Sequence, residues 1–86
     1  ELKMKIVECY LKNDDEARAL RELKGLVQEF PQFVPARLKL GLLYYNGHKV
    51  IEAVEQWEAV LLRDPEHPTA IKYLHMAQES GSTLLA

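Results

Sequence analysis

Three histidines are the first side chains in this sequence that suggest chemistry, because a neutral imidazole is a common metal ligand. His67 and His75 are eight residues apart on or beside one predicted helix, and His48 lies in a predicted turn. Eight residues correspond to about 12 Å of helix, so the two rings need a third element to share an ion. No carboxylate or thiol stands at ligand spacing beside them. The pattern therefore predicts solvent-exposed or capping imidazoles and no metal site.

An acidic run, Asp14-Asp15-Glu16, has the composition of a metal or acid–base cluster. It stands at the start of a predicted helix, where carboxylates cap free N–H groups and interact favourably with the helix dipole. We therefore interpret the run as a helix start. The sequence has no Ser-His-Asp, Cys-His or paired-acid constellation at sensible spacing, and no glycine-rich phosphate loop. It predicts a protein that is not an enzyme and holds no cofactor.

Length and composition limit the function classes. The 86 residues suffice for one compact domain. A net charge of -2, from 11 basic and 13 acidic side chains, argues against nucleic-acid binding and gives no reason to expect direct membrane binding. A single cysteine excludes an internal disulfide and fits a reducing compartment, which slightly favours a cytoplasmic location. No apolar run approaches the roughly 20 residues that span a bilayer. Because Glu1 already falls in a predicted helix, we expect a fragment of a longer protein.

The elements that position these residues follow from hydrophobic periodicity and from helix start and stop signals, which predict five helices and no strand. The first helix has a predicted core stripe of Lys3, Ile6, Val7 and Tyr10. The fifth fades at Ser80-Gly81 and leaves a frayed tail. The predicted helices run from Leu2 to Lys12, from Asp14 or Asp15 to Phe30-Pro31, from Pro35 to Asn46, from Lys49 to Arg63 and from Pro68 to Gly81.

An internal repeat appears when the sequence is shifted by 34 positions against itself. Tyr10 then falls on Tyr44, Ala19 on Ala53, and Pro31 on Pro65. A fixed period of this length is typical of stacked helix-turn-helix units. Asn13 falls on Gly47, and both residue types favour the left-handed conformation that ends a helix, so we expect that conformation at both. Cys9 falls on the apolar Leu43 and Ala77, which predicts a buried, inert thiol.

Within the second repeat, Leu40-Gly41, Tyr44, Ala53, Trp57 and Pro65 stand in a recognisable order and spacing. In these residues the chain resembles the tetratricopeptide repeat (TPR) family. The resemblance implies an all-α fold, an α-solenoid of two TPR helix-turn-helix repeats plus a C-terminal capping helix. Repeat 1 would cover residues 1–33, repeat 2 residues 34–67, the capping helix 68–81 and the frayed tail 82–86. The pattern is incomplete, since Arg37 and Val50 replace frequent aromatic residues of the family and Val7 and Leu23 weaken the first repeat.

The resemblance also implies that the first helix of each repeat lines a concave side. There a second stripe on the first helix and its images 34 and 68 residues later form nine positions, which we call the predicted groove. An amphipathic helix needs no second apolar stripe unless something covers it, and most of these nine are apolar. The predicted groove consists of Met4, Glu8, Leu11, Leu38, Leu42, Tyr45, Lys72, Met76 and Glu79.

The resulting functional hypothesis is a non-enzymatic adaptor or scaffold. A peptide or amphipathic helix of a partner protein would bind the predicted groove, with Glu8, Lys72 and Glu79 steering it. Met4 and Glu8 stand where TPR domains that hold a C-terminal carboxylate present lysine and asparagine, so we expect no such clamp. Three alternatives stay open: burial of the stripe by neighbouring repeats, a regulatory arm of a larger protein, and self-association into a homodimer. The last would use exposed ends around Leu2, Val34, Leu84 and Leu85.

Overall fold

Five α-helices form the protein in the computed structural model, which describes the backbone of residues 2–85 and the side chains of residues 2–79. No strand occurs in the described backbone, and the predicted all-helical class is confirmed. The first four helices begin and end within about two residues of their predicted limits, a difference within the ordinary scatter of helix assignment. The helices are α1 (Leu2–Lys12), α2 (Glu16–Glu29), α3 (Val34–Asn46), α4 (Val50–Arg63) and α5 (Pro68–Leu85).

The C-terminal limit differs from the prediction. Helix α5 ends at Leu85 and not at Ser80-Gly81. For residues 82–86, the predicted tail, the structure does not describe the side chains. For Ala86 it does not describe the backbone either.

The two turns within the predicted repeats correct one expectation. Left-handed backbone occurs at Asp14, with φ 58°, and at His48, with φ 64°, one residue after the predicted positions. Gly47 has φ -89°. The reason lies in the hydrogen bonds: the N–H of Asn13 still donates to the Cys9 carbonyl at 3.2 Å, so the helical pattern extends one residue further. Gly47 repeats this bond to Leu43 at 3.1 Å, and the reversal falls on the next residue in both turns.

Helix starts use different side chains at equivalent positions. A carboxylate oxygen of Asp15 accepts the backbone N–H of Arg18 at 3.2 Å, which confirms the capping interpretation of the acidic run. Lys49 has nearly the same backbone angles as Asp15 but forms no side-chain cap. At the start of α5, Nδ1 of His67 accepts the N–H of Ala70 at 3.3 Å. His48 and His75 are exposed, so the exposed or capping histidines are confirmed.

The 34-residue period is visible in the backbone as well as in the sequence. Helices α2 and α4 have 14 residues each and begin 34 positions apart. Helices α3 and α5 also begin 34 positions apart. The N–H of Asp15 donates to Tyr10 at 2.8 Å, and the N–H of Lys49 donates to Tyr44 at the same distance. The chain is therefore helical and repeat-like. Five pairs of buried positions share the period, namely Val7 with Gly41, Ala19 with Ala53, Leu23 with Trp57, Leu26 with Val60 and Ala36 with Ala70.

Helix packing follows the chain order: each helix packs against the next, and α3 also contacts α5. The molecule measures 40 × 29 × 18 Å. Its core consists of two clusters. The first cluster joins α1, α2 and α3 around Val7, Leu23 and Leu40, and the second joins α3, α4 and α5 around Trp57 and Ala77.

At Gly41, α3 lies so close to Trp57 of α4 that no side chain would fit between them. A Cβ at residue 41 would lie 2.7 Å from Cε2 and 2.9 Å from Cδ1 of Trp57, and closer still to Nε1. Real Cβ atoms do not occupy such positions, so only glycine lets α3 lie against the fully buried indole.

Arg37 replaces an aromatic residue of the TPR pattern and has a polar role. Its Nε donates to the Pro31 carbonyl at 2.7 Å, and its Nη1 donates to Oε1 of Gln56 at 3.0 Å. The side chain thereby ties the loop before α3 to α4.

On helix α1, two residues predicted to be buried are exposed. Cys9 is exposed and not buried, and Ile6 of the predicted core stripe is 40% exposed. Their images on α3, Leu40 and Leu43, pack into the first cluster together with α2. No described helix covers the corresponding side of α1, so the alignment with apolar positions did not imply burial there. Lys3, from the same stripe, is half exposed and forms an ion pair with Glu29, with Nζ and Oε1 3.0 Å apart.

Candidate partner-binding surface

The nine positions of the predicted groove divide by exposure. Its six apolar side chains are all partly buried, while Glu8, Lys72 and Glu79 are exposed. Partial burial has a physical meaning here: each apolar side chain packs on the core with one side and keeps apolar area in contact with solvent. Burying that remaining area would be favourable by about 25 cal/mol per Å².

Four of the six apolar side chains come together on α3 and α5. Leu38, Leu42, Tyr45 and Met76 all pack against the second cluster. The Tyr45 ring lies 6.1 Å from the Trp57 ring, with the planes tilted by 46°. The Nε1 of Trp57 donates to the Leu38 carbonyl at 3.4 Å, so the indole supports both ends of this row.

The other two apolar side chains belong elsewhere. Met4 and Leu11 on α1 pack against the first cluster, beside Val7 and Leu40. The structure thus places the groove positions on two hydrophobic clusters and not on one. The larger contiguous part is the row on α3 and α5, and it is the better candidate for an anchor site.

Tyr73 is a component of this surface that lies outside the predicted groove. Its ring centroid lies 5.3 Å from that of Trp57, with the planes tilted by 49°. Tyr73 belongs to α5, whereas Tyr45 belongs to α3. Tilted aromatic pairs at this distance are favourable. The signal that could have identified it is its place three residues before Met76, which puts both on one side of α5.

Four surface depressions formed by the described residues lie at other places. One of about 230 Å³ is bounded by Pro31, Arg37 and Arg63, and one of about 280 Å³ lies between Leu26, Phe30 and Phe33. Two more occur beside Glu22 and beside Leu43. The groove positions line none of these four.

Among the described side chains, no group of three or more His, Cys, Asp or Glu residues is arranged to hold a metal ion. Within the described chain, none of the helices combines the length and apolar character needed to cross a membrane.

No protein-family model matches this chain, and no curated protein is significantly similar to it. The TPR resemblance therefore rests on the residues that carry it, and the candidate surface must be judged from its own geometry.

Proposed function

We propose that the chain is a short TPR-like α-solenoid of two helix-turn-helix repeats and a capping helix, and that it binds a segment of another protein without catalysing a reaction. The proposal draws support from the 34-residue period in the helix starts, the two turns and the buried pairs. The close approach of Gly41 to Trp57 fits the small and large residues at these places in the TPR pattern.

The observation that carries the binding proposal is the half-exposed apolar row on α3 and α5. Leu38, Leu42 and Tyr45 follow the i, i+4, i+7 spacing of one helix face, and Met76 adjoins them on α5. A contiguous apolar surface on a small protein usually marks a contact. Trp57, which packs against Tyr45, lies beneath this row, so an inserted side chain would contact a well-packed surface.

The partner that fits this row is an amphipathic helix or an extended peptide with large apolar anchors. A helix places anchors one helical turn apart into such a groove, and an extended peptide inserts alternate side chains. Lys72 and Glu79 are exposed on α5, the helix that carries Met76, and charges beside an apolar contact govern orientation and association rate more than affinity. A basic residue on the ligand would face Glu79, and an acidic one would face Lys72.

The test uses peptides selected from a random display library on the isolated chain, with their affinity then measured by calorimetry. Leu42→Ser removes an apolar anchor point, and we expect affinity to fall by about tenfold or more, as for a central contact residue. The matched control is Ile71→Ser. Ile71 lies on α5, but about 140° around that helix from Met76, and should leave affinity unchanged.

Two outcomes decide the proposal. Selected peptides that bind the Leu42→Ser variant as tightly as the original chain would refute it. If Leu42→Ser loses helical circular dichroism, the exposed Lys72→Glu variant takes its place, and unchanged affinity for acidic peptides together with unchanged affinity for basic ones would then count against the groove.

A further inference from the structure

One side of α1 is exposed to solvent, whereas the equivalent sides of α3 and α5 are covered by other helices. Leu2 is 74% exposed and Ile6 40% exposed, and Cys9 beside them is exposed too. The images of these three residues in α3 and in α5 are buried or half-buried, and those in α3 pack into the first cluster with α2. The images are Ala36, Leu40 and Leu43 in α3, and Ala70, Leu74 and Ala77 in α5.

The open side of α1 has a basic edge. Lys5 and Lys12 are seven residues apart, lie next to Cys9 around the helix, and are exposed. Neither forms an ion pair with any described residue. We call Leu2, Lys5, Ile6, Cys9 and Lys12 the open side of α1.

A surface of opposite charge lies on another helix. Ile51 is 76% exposed and Leu62 85% exposed, and the exposed Glu55 and Glu58 stand between them. All four lie within about 60° around α4, since residues four, seven and eleven positions apart share one helix face. Neither carboxylate has an ion-pair partner in the described part of the chain. We call these four residues the outer side of α4.

The outer side of α4 is not a general property of the repeat. Its images on α2 are Ala17, Arg21, Lys24 and Gln28, so the equivalent surface of the first repeat is basic and lacks large aliphatic side chains. The two exposed aliphatic residues and the two acids occur together on the second repeat alone.

We propose that the chain associates with a second copy of itself, the open side of α1 in one copy packing against the outer side of α4 in the other. Leu2 and Ile6 then cover aliphatic area of Ile51 and Leu62. Lys5 and Lys12 face Glu55 and Glu58, and this charge complementarity selects the partner surface.

The charges also oppose one symmetric alternative, in which two α1 helices pack on each other. Two α1 helices packed antiparallel about a two-fold axis bring the same edge of each helix together, so the lysines of one copy would face those of the other. Like charges at that range repel. Contact between α1 and α4 closes a two-fold dimer if both pairs of surfaces meet at once. If each pairing leaves one open side of α1 and one outer side of α4 unused, association continues as a chain or a larger ring.

The test is sedimentation equilibrium of the whole chain, from micromolar to millimolar concentration, at low salt and with Cys9 kept reduced. The average mass should rise with concentration above the 9.9 kDa of one copy, and the rise should weaken at high salt. Lys5→Glu/Lys12→Glu should weaken self-association by about tenfold or more, and Glu55→Lys/Glu58→Lys should do the same.

An equimolar mixture of the two double variants gives the sharpest result. Within each variant the two surfaces carry the same charge sign and repel. Between the variants both contacts are complementary again, so the mixture should recover the original self-association. The groove variant Leu42→Ser should self-associate as the unmodified chain does, which separates this contact from peptide binding.

Three results would overturn the proposal: a single copy at millimolar concentration, self-association that survives Glu55→Lys/Glu58→Lys, or a mixture that fails to recover. Circular dichroism verifies that each variant folds. If a charge variant does not fold, Leu62→Ser replaces it, because a side chain 85% exposed contributes little to the fold. Unchanged self-association of Leu62→Ser would be equally decisive against the contact.

Discussion

At the scale of single residues, the buried position of Trp57 requires that residue 41 have no side chain. The indole is fully buried, lies between the rings of Tyr45 and Tyr73, and donates to the Leu38 carbonyl. Its volume extends into the space that a Cβ on Gly41 would take. One glycine thus allows the largest side chain of the protein to join three helices, and this junction carries the candidate anchor row.

Gly41→Ala should lower the free energy of unfolding by about 1–3 kcal/mol, because the new methyl group overlaps a buried ring that cannot move away. Gly25→Ala is the matched control. Outside its own helix backbone and chain neighbours, no atom lies within 4 Å of the place where its Cβ would be, and Gly25 is inside α2. Alanine should therefore raise stability by about 0.5–1 kcal/mol, since it favours the helix more than glycine does.

Urea unfolding of both variants provides the measurement. Equal effects at the two positions would show that α3 does not depend on a glycine where it meets Trp57. A stabilising effect of Gly41→Ala would contradict the packing described for the second cluster.

At the scale of elements, local signals identified the helices and their starts. Asp15 caps α2, proline stands in the first turn of α3, and the break at Asn46-Gly47 separates α3 from α4. The predicted left-handed positions lie one residue early, because residue preference alone does not show the hydrogen bonds that continue each helix. The alignment predicts Ile6 and Cys9 in the core because it assumes that α1, like α3, has a neighbouring helix on each side.

The candidate surface was predictable in part, for a related reason. The 34-residue period correctly grouped Leu38, Leu42 and Tyr45 with Met76, because one register on α3 and α5 faces one cluster. It could not find Tyr73, whose image is Lys39, since a ring contact across two helices depends on helix packing and not on period. It also could not show that Met4 and Leu11 pack on a different cluster.

The turn between α3 and α4 offers a test at this scale. Gly47 has φ -89°, and a Cβ there would meet the Leu43 and Tyr44 carbonyl oxygens at 3.4 and 3.6 Å. Gly47→Ala should therefore be neutral or stabilising by up to about 1 kcal/mol. His48→Gly should stabilise by a few tenths to about 1 kcal/mol, because glycine adopts left-handed backbone without strain.

Thermal unfolding followed by circular dichroism measures both changes, and His48→Ala is the control that keeps the Cβ at the left-handed position. A loss of more than about 1 kcal/mol in Gly47→Ala would mean that residue 47 itself carries the left-handed backbone.

At the scale of the whole molecule, Tyr44 connects the two halves. Its ring packs against both hydrophobic clusters, and the Lys24 ammonium lies 5.9 Å from its centroid. Because Tyr44 belongs to both clusters, we expect it to couple their unfolding. Tyr44 is the position where the two clusters depend on each other most directly.

Tyr44→Ala should lower stability by about 2 kcal/mol and uncouple the clusters, because the removed ring contributes to both. Trp57 is the sole tryptophan, so its fluorescence reports the second cluster alone, while circular dichroism reports all helices. The two transitions should coincide in the original chain and separate in the variant. Tyr44→Phe keeps the ring and should preserve the coincidence. Coincident transitions in Tyr44→Ala would show that coupling resides elsewhere.

The exposed sulfur of Cys9 has a practical consequence. The chain has one thiol and one indole, and they lie on helices of different clusters. A maleimide dye on Cys9 therefore forms a donor–acceptor pair with Trp57 without any substitution. Energy transfer across this pair would follow the separation of the two halves during unfolding, and an increase in dye anisotropy would follow coverage of α1 by a second molecule.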